Sequence, residues 1–323
     1  MSATLSPDAI MQKLSKMWTG VAKQGQPETG MGVLRACSMT LVIVASESES
    51  AVELSNTIKA LMPEHPARTI VIFLHPGPVQ LDANVTAQCW LPFGQRRQIC
   101  CEQIEITASE DALGDVASVV SAITAPDLPV VLWCRSVGAF GKPEFPDFAA
   151  MARKVIVNTS TWPDPKTALE RLAAAAASGF TLGDLSWTRL TRWREMLSQL
   201  FENPCYTVCL SEISRIHVRF GETDMSVMAR YWAAWLKNAL ESIAVRTELV
   251  IEQGAHAPAV ELSGGAFRVE LVRQGERLVT SVNGISHCTS LPEMGEHLLM
   301  REELRILRRD PVFEQTLFSA ARL

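Results

Sequence analysis

The apolar positions of the first half come in unbroken runs, and those of the second half alternate. Residues 33–45 end in a nearly continuous apolar run, Leu41-Val42-Ile43-Val44-Ala45, the pattern of a strand covered on both faces. Ser46-Glu47-Ser48-Glu49-Ser50 follows. Carboxylates and serines there read as a solvated helix start, with the helix running to about Leu61. Residues 68–74 form a second buried strand. Strand, helix, strand at this spacing is a βαβ unit, which implies parallel strands and a right-handed crossover. His75-Pro76-Gly77-Pro78 is its exit turn.

Residues 85–91 and 98–107 read as longer strands joined around Pro92-Phe93-Gly94. A helix over 111–123, a buried strand over 129–134, a short helix over 145–151, a strand over 154–158 and an alanine-rich helix over 165–177 follow. Ahead of them, residues 7–18 read as an amphipathic helix capped by Ser6, with Pro7 at its first position and Ile10, Leu14, Met17 and Trp18 as its stripe. Residues 23–32 read as a loop. The first half is thus an α/β layer with a mainly parallel sheet.

The chain then enters Asp184-Leu185-Ser186-Trp187-Thr188-Arg189-Leu190-Thr191-Arg192-Trp193-Arg194, which opens a predicted helix reaching about Phe201 before Asn203-Pro204. Two tryptophans and three arginines fall within eight residues. On a helical wheel Trp187, Leu190, Trp193, Met196, Leu197, Leu200 and Phe201 share one half. Arg189 and Arg194 fall among them. A guanidinium must find acceptors when it loses water. Either these arginines tie the helix to groups inside the chain, or they reach a partner surface, where Trp and Arg are the enriched anchors. The candidate partner-binding residues are therefore Trp187, Arg189, Arg192, Trp193 and Arg194.

Beyond this segment the period changes to two. Residues 213–220 put Ile216, Val218 and Phe220 on one side and Arg215, His217 and Arg219 on the other, a sheet with one wet face, which fits antiparallel pairing. Residues 225–243 are a strong helix carrying Met228, Tyr231, Trp232, Trp235, Leu236 and Leu240, mostly core. Strands follow over 246–251, 259–262, 267–273, 277–282 and 286–290, and Asn283-Gly284 is a strong hairpin signal. A closing helix covers 292–309. The second half reads as α+β, an antiparallel sheet backed by helices.

Length, charge and cysteine content narrow the function classes. At 323 residues two domains are expected, an α/β domain over 1–182 and an α+β domain over 183–323. A formal net charge of −5 argues against a general nucleic-acid binder. No apolar run reaches transmembrane length, and Lys13 and Lys16 interrupt any signal-peptide core, so a cytoplasmic protein with no membrane association is expected. Eight cysteines in a chain this long are not a disulfide framework and are expected to be reduced.

The α/β half invites a nucleotide-binding hypothesis, yet no GxGxxG or GxxxxGK[ST] stands between a strand and a helix. The turn after the first long strand, Ala45-Ser46-Glu47, has no glycine, and its carboxylates would repel phosphate. No GxSxG elbow, HxxxH, HExxH or CxxC is present. No catalytic residue, cofactor or metal site is expected.

Several stretches together resemble the glucose-6-phosphate dehydrogenase assembly proteins of the OpcA family. They are Val33-Leu34-Arg35-Ala36-Cys37-Ser38-Met39-Thr40-Leu41, His65-Pro66-Ala67-Arg68, Leu128-Pro129-Val130-Val131-Leu132-Trp133 and the segment from Asp184 to Arg194, in the family's order. The last is the most specific. The resemblance implies a non-catalytic protein of the pentose phosphate pathway that binds glucose-6-phosphate dehydrogenase and promotes its active oligomer. The competing expectation is a nucleotide- or sugar-phosphate-binding α/β enzyme of unrecognised type.

Overall fold

A computed structural model describes residues 6–24, 33–79, 81–92, 97–221, 226–254 and 257–323. The chain divides into two compact units. One takes residues 1–157, 180–183 and 296–308; the other takes 158–179, 184–295 and 309–323.

The first unit is built on an eight-stranded sheet: β1 (Val33–Arg35), β2 (Met39–Ser46), β3 (Ala67–His75), β4 (Asp82–Trp90), β5 (Gln98–Ser109), β6 (Val130–Cys134), β7 (Lys154–Val157) and β8 (Leu182–Asp184). The order is β1-β5-β3-β2-β6-β7-β8. β2 runs parallel to both β3 and β6, β3 parallel to β5, and β6 parallel to β7, whereas β4 pairs antiparallel with β5. Two-sided cover explains the apolar runs: Val42, Ile43, Ile70, Ile72, Ile104, Trp133 and Ile156 are sealed from solvent. The Ala51–Leu61 helix starts where the serine and glutamate run predicts, with the Ser50 hydroxyl accepting from the Glu53 amide at 3.3 Å.

Three expectations for this unit are corrected. Residues 33–45 are two strands, because β1 pairs with the start of β5 and β2 inserts between β3 and β6. The first helix runs Pro7–Gln24, past the predicted end at residue 18; residues 25–32 of the expected loop, and Phe93 and Gly94 of the expected turn, lie outside the described residues. The cysteines are not all reduced: Cys89 and Cys100 face each other across β4 and β5, with Cα atoms 4.1 Å apart, and form a disulfide.

Two buried charge clusters pin this unit. The Glu102 carboxylate accepts from Arg68 Nε at 2.5 Å and Trp18 Nε1 at 2.6 Å and pairs with Arg35. Lys154 Nζ donates to Glu303 Oε2 at 2.5 Å and to the Glu303 and Ile306 carbonyls at 3.0 and 2.9 Å. Gly183 lies so close to this pair that an added Cβ would sit 2.3 Å from Glu303 Oε2 and 2.7 Å from Lys154 Cε.

The second unit holds a six-stranded sheet: β9 (Arg215–Phe220), β10 (Glu248–Gln253), β11 (Ala259–Gly264), β12 (Phe267–Gln274), β13 (Arg277–Val282) and β14 (Ile285–Ser290), in the order β10-β9-β11-β12-β13-β14. Ile216, Val218 and Phe220 face the core as the alternation requires. At the β13–β14 turn Asn283 and Gly284 both take positive φ, 48° and 87°, which is why Asn-Gly serves there. The sheet is mixed, since β10 runs parallel to β9. The Val227–Ser242 helix between them supplies the crossover that a parallel pair needs; Met225, its expected first residue, lies outside the described residues. The sequence-based reading also missed the Pro311–Ala320 helix, whose Asp310 caps it through the amides of Val312 and Phe313 at 2.9 and 3.1 Å.

Candidate functional site

In the second unit the Trp/Arg segment is organised by one buried carboxylate. Asp184 is sealed from solvent. Its Oδ1 accepts from the Thr159 amide at 3.1 Å and the Ser186 amide at 2.9 Å. Its Oδ2 accepts from the Thr159 hydroxyl and from the Tyr231 hydroxyl at 2.8 Å. Burial raises the Asp184 pKa against the pull of these four donors. By taking the Ser186 amide, Asp184 caps the short Leu185–Thr188 helix.

That cap changes the expected helix. The segment is two helices, Leu185–Thr188 and Thr191–Phe201, with Arg189 and Leu190 between them. The first turn is anchored on Asp184, and Thr188 Oγ1 bonds back to the Asp184 carbonyl at 3.0 Å. The chain re-enters helix only at Thr191. One continuous wheel therefore does not describe these residues.

The five candidate residues separate into two groups. Trp187 is 3% exposed and meets Tyr231 edge-on at 5.7 Å between ring centres and Phe313 at 5.9 Å. Arg194 lies over the Trp187 ring, 3.5 Å from its centre, and donates through NH2 to Thr191 Oγ1 at 3.0 Å. This pair is internal. Trp193, 2% exposed, meets Trp232 edge-on at 5.8 Å, and its ring also reaches a cavity.

The cavity has a volume of about 340 Å³ and is lined by Ser160, Arg189, Arg192, Trp193, Met228, Arg273, Leu291, Pro292, Glu293 and Met294. Arg189 NH1 donates to Asn158 Oδ1 at 2.9 Å and to Ser160 Oγ at 3.2 Å. Both of these NH1 acceptors are uncharged, an amide oxygen and a hydroxyl. Arg192 is 72% exposed, with Glu195 a loose neighbour at 3.9 Å. Asn158, Ser160, Arg273 and Asp184 escaped the sequence-based search. Only Asp184 left a signal, an acidic residue just ahead of a helix.

A second cavity, of about 520 Å³, belongs to the first unit and is lined by Ser48, Glu49, Ser50, Glu53, Leu54, Thr57, Arg135 and Glu296. It lies past the carboxyl end of β2, where the strand order reverses between β3 and β6, the crevice in which doubly wound sheets bind nucleotides. Here that crevice holds carboxylates. Arg135 Nε pairs with Glu49, its NH1 donates to Glu296 Oε2 at 2.6 Å, and its guanidinium stacks on Trp133, 4.6 Å from the ring centre. Burial works against the Arg135 charge, but the hydrogen bonds and charges of Glu296 and Glu49 outweigh it and raise the pKa. Three carboxylates against one guanidinium would repel a pyrophosphate. The buried thiols are equally unsuited to chemistry: burial pushes Cys101 up to about 11 and Cys134 up to about 12. Among the described residues no three His, Cys, Asp or Glu side chains are grouped to hold a metal ion, and no described helix is long and apolar enough to cross a membrane.

Two family models match, one after the other. Residues 58–174 match the glucose-6-phosphate dehydrogenase subunit N-terminal domain, and residues 181–317 match the corresponding C-terminal domain. The chain is 29% identical over 181 residues to the OxPP cycle protein OpcA of Nostoc punctiforme, covering 55% of this chain and 38% of that one. It is 26% identical over 164 residues to the protein of that name from Synechocystis, covering 50% and 34%. The chain thus spans well under two thirds of these relatives. Solved structures that align with the chain include an oxidoreductase from Sinorhizobium meliloti (TM-score 0.49, 8% identity, 88% and 95% of the two chains). Another is a variant of the 3-ketoreductase KijD10 from Actinomadura kijaniata (TM-score 0.47, 11% identity, 88% and 95%). Likeness at that level carries no argument about fold or function.

Proposed function

The chain belongs to the OpcA family, and on that premise we propose that it binds glucose-6-phosphate dehydrogenase and promotes that enzyme's active oligomer without catalysing a step itself. The observation that carries this reading is the pair of adjoining matches over residues 58–174 and 181–317, both described as domains of a glucose-6-phosphate dehydrogenase subunit. The electrostatics of the first unit support it. The competing enzyme reading needs an anion cradle at the strand-order reversal, and Glu49, Glu53 and Glu296 stand there. The work is then done in the cytoplasm, in the oxidative pentose phosphate pathway.

The mechanism is linkage. A partner that binds the active oligomer more tightly than the inactive form shifts the equilibrium by that differential affinity. Of the five Trp/Arg candidates, the direct contact with the dehydrogenase is assigned in this reading to Arg192, because it is exposed and only loosely paired. Arg189 and Trp193 shape the cavity beside it, and Trp187 and Arg194 hold the segment's form. The test is to add the purified chain to the dehydrogenase of its own host and follow oligomer size by size-exclusion chromatography together with the kinetics. A shift to a larger, more active species is expected. Unchanged size and kinetics in both reducing and oxidising buffer would overturn the reading.

A further inference from the structure

We infer that β14 is a docking edge for a second copy of this chain: two β14 strands pair antiparallel about a two-fold axis between their Cys288 residues and join two six-stranded sheets into one. No property of the dehydrogenase enters, because the contact is made by this chain with itself.

An open ladder is the first observation. β14 forms one edge of the second unit's sheet, and all of its residues, Ile285–Ser290, are exposed. The two-residue Asn283-Gly284 turn makes Val282 and Ile285 a hydrogen-bonded pair, so Ile285, His287 and Thr289 direct their main-chain groups at β13. Leu291 keeps that phase, its amide donating inward to the Glu276 carbonyl at 2.7 Å. Ser286, Cys288 and Ser290 therefore turn their N–H and C=O groups outward, where no main-chain hydrogen bond meets them among the described residues.

The second observation is that this edge is not blunted. Edges that stay unpaired carry charge, proline or a bulge. Ile285–Ser290 contains no Lys, Arg, Asp, Glu or Pro, and its register with β13 runs without a bulge. The opposite edge, β10, carries Glu248 and Glu252.

The third observation selects the occupant. A strand on a two-fold axis meets itself, so a charge near the axis would face its own like. A neutral edge suits a copy. The outward residues are small and read the same in both directions, Ser286-Cys288-Ser290. The axis sets Cys288 opposite Cys288, and Ser286 opposite Ser290 of the second copy. Each facing pair exchanges both of its N–H···O bonds. The same register brings Ile285, 67% exposed, opposite residue 291 of the second copy, where it loses water. Pro292, with no N–H, ends the ladder on one side, and the Asn283-Gly284 turn ends it on the other. An edge this short is a small contact, below the roughly 1,200 Å² of stable complexes, so the dimer is weak and concentration-dependent.

The experiment is sedimentation velocity of the full chain, in reductant, from low micromolar to millimolar concentration. A shift from the 35.5 kDa monomer toward its dimer is expected. Cys288→Lys puts two ammonium groups at the axis and should weaken dimerisation at least about tenfold, with circular dichroism unchanged. Val208→Lys, on an exposed apolar residue away from β14, should dimerise as wild type. If Cys288→Lys unfolds, Ser290→Lys carries the same expectation. Cys288 pairs with Val279, on the face opposite the buried Leu278, Thr280 and Val282, so its thiol stays within reach of reagents in the dimer. A short bismaleimide should link Cys288 to Cys288, and Cys288→Ser should dimerise without being linked. A chain that stays monomeric throughout, a dimer untouched by lysine on β14 or lost with Val208→Lys, or a link made only through Cys205 overturns the inference.

Discussion

The guanidinium carbon of Arg194 lies 3.5 Å from the centre of the Trp187 ring, inside the second unit. The indole is 3% exposed and also has Tyr231 and Phe313 against it. Trp187→Ala should cost about 3–5 kcal/mol as a large core truncation. Arg194→Met, which keeps the stem and loses the charge, should cost about 1–2 kcal/mol, the value of a desolvated cation–π contact. Urea denaturation of both variants measures this. Equal, negligible losses would show that the pair is not part of the core.

Asp184 gives a pH signature. Its folded pKa is raised above the ordinary aspartate value of 3.8 by burial. The folded chain therefore keeps a proton that the unfolded chain gives up first. The stability it contributes is complete below about pH 3.8 and is lost as pH rises through the folded value. Asp184→Asn should tolerate the site, because Oδ1 still takes both backbone amides and the Thr159 and Tyr231 hydroxyls can turn to accept from the new NH₂. The variant should lack the wild-type decline in stability above pH 4. Asp184→Ala leaves those donors buried without an acceptor and should cost several times about 1 kcal/mol. Parallel melting curves from pH 4 to 8 test both.

What the sequence disclosed follows from how far each interaction reaches along the chain. β2, β3 and β6 were legible because burial on both faces gives each an unbroken apolar run, over 41–45, 70–74 and 130–134. The Ser50 cap and the Asn283-Gly284 turn were legible because their chemistry is local. Asp184 could not be read as a hub, since Thr159 lies 25 residues away and Tyr231 lies 47 away. Nor could Arg273 be joined to Arg189. The tryptophans carry a further lesson: the residue types that anchor an interface also anchor an aromatic core, so composition alone could not tell Trp187 and Trp193 apart from exposed Arg192.

Cysteine labelling separates three environments. Cys205 and Cys288 are exposed and should react first with an alkylating reagent at pH 7.5. Cys101 and Cys134, with pKa values pushed up to about 11 and about 12, should stay unmodified until the chain is denatured. Cys89 and Cys100 should react only after reduction. Breaking that bond opens a link across 11 residues of sequence and should lower stability by about 2–3 kcal/mol on the loop-entropy estimate. Peptide mass mapping with and without reductant reads the pattern, and labelling of Cys134 in the native chain would contradict it.

Gly183 tests how tightly the first unit is packed around its buried ion pair. Lys154 Nζ makes three hydrogen bonds, one to the Glu303 carboxylate and two to backbone carbonyls. Both side chains are largely buried, 6% and 10% exposed. A methyl group at position 183 would occupy space now held by Glu303 Oε2 and Lys154 Cε. Either group is the far end of a flexible side chain and could move if it were free, but each is fixed by the other, and shifting one leaves a buried charge underpaired. Losing a partner from such a pair costs about 3–5 kcal/mol, so displacing it by Gly183→Ala should cost about 1–3 kcal/mol. The double variant Gly183→Ala with Glu303→Gln removes one partner's charge and should recover less than additive loss. A Gly183→Ala chain as stable as wild type would mean that the pair shifts without penalty and does not pin Lys154 at the edge of β7.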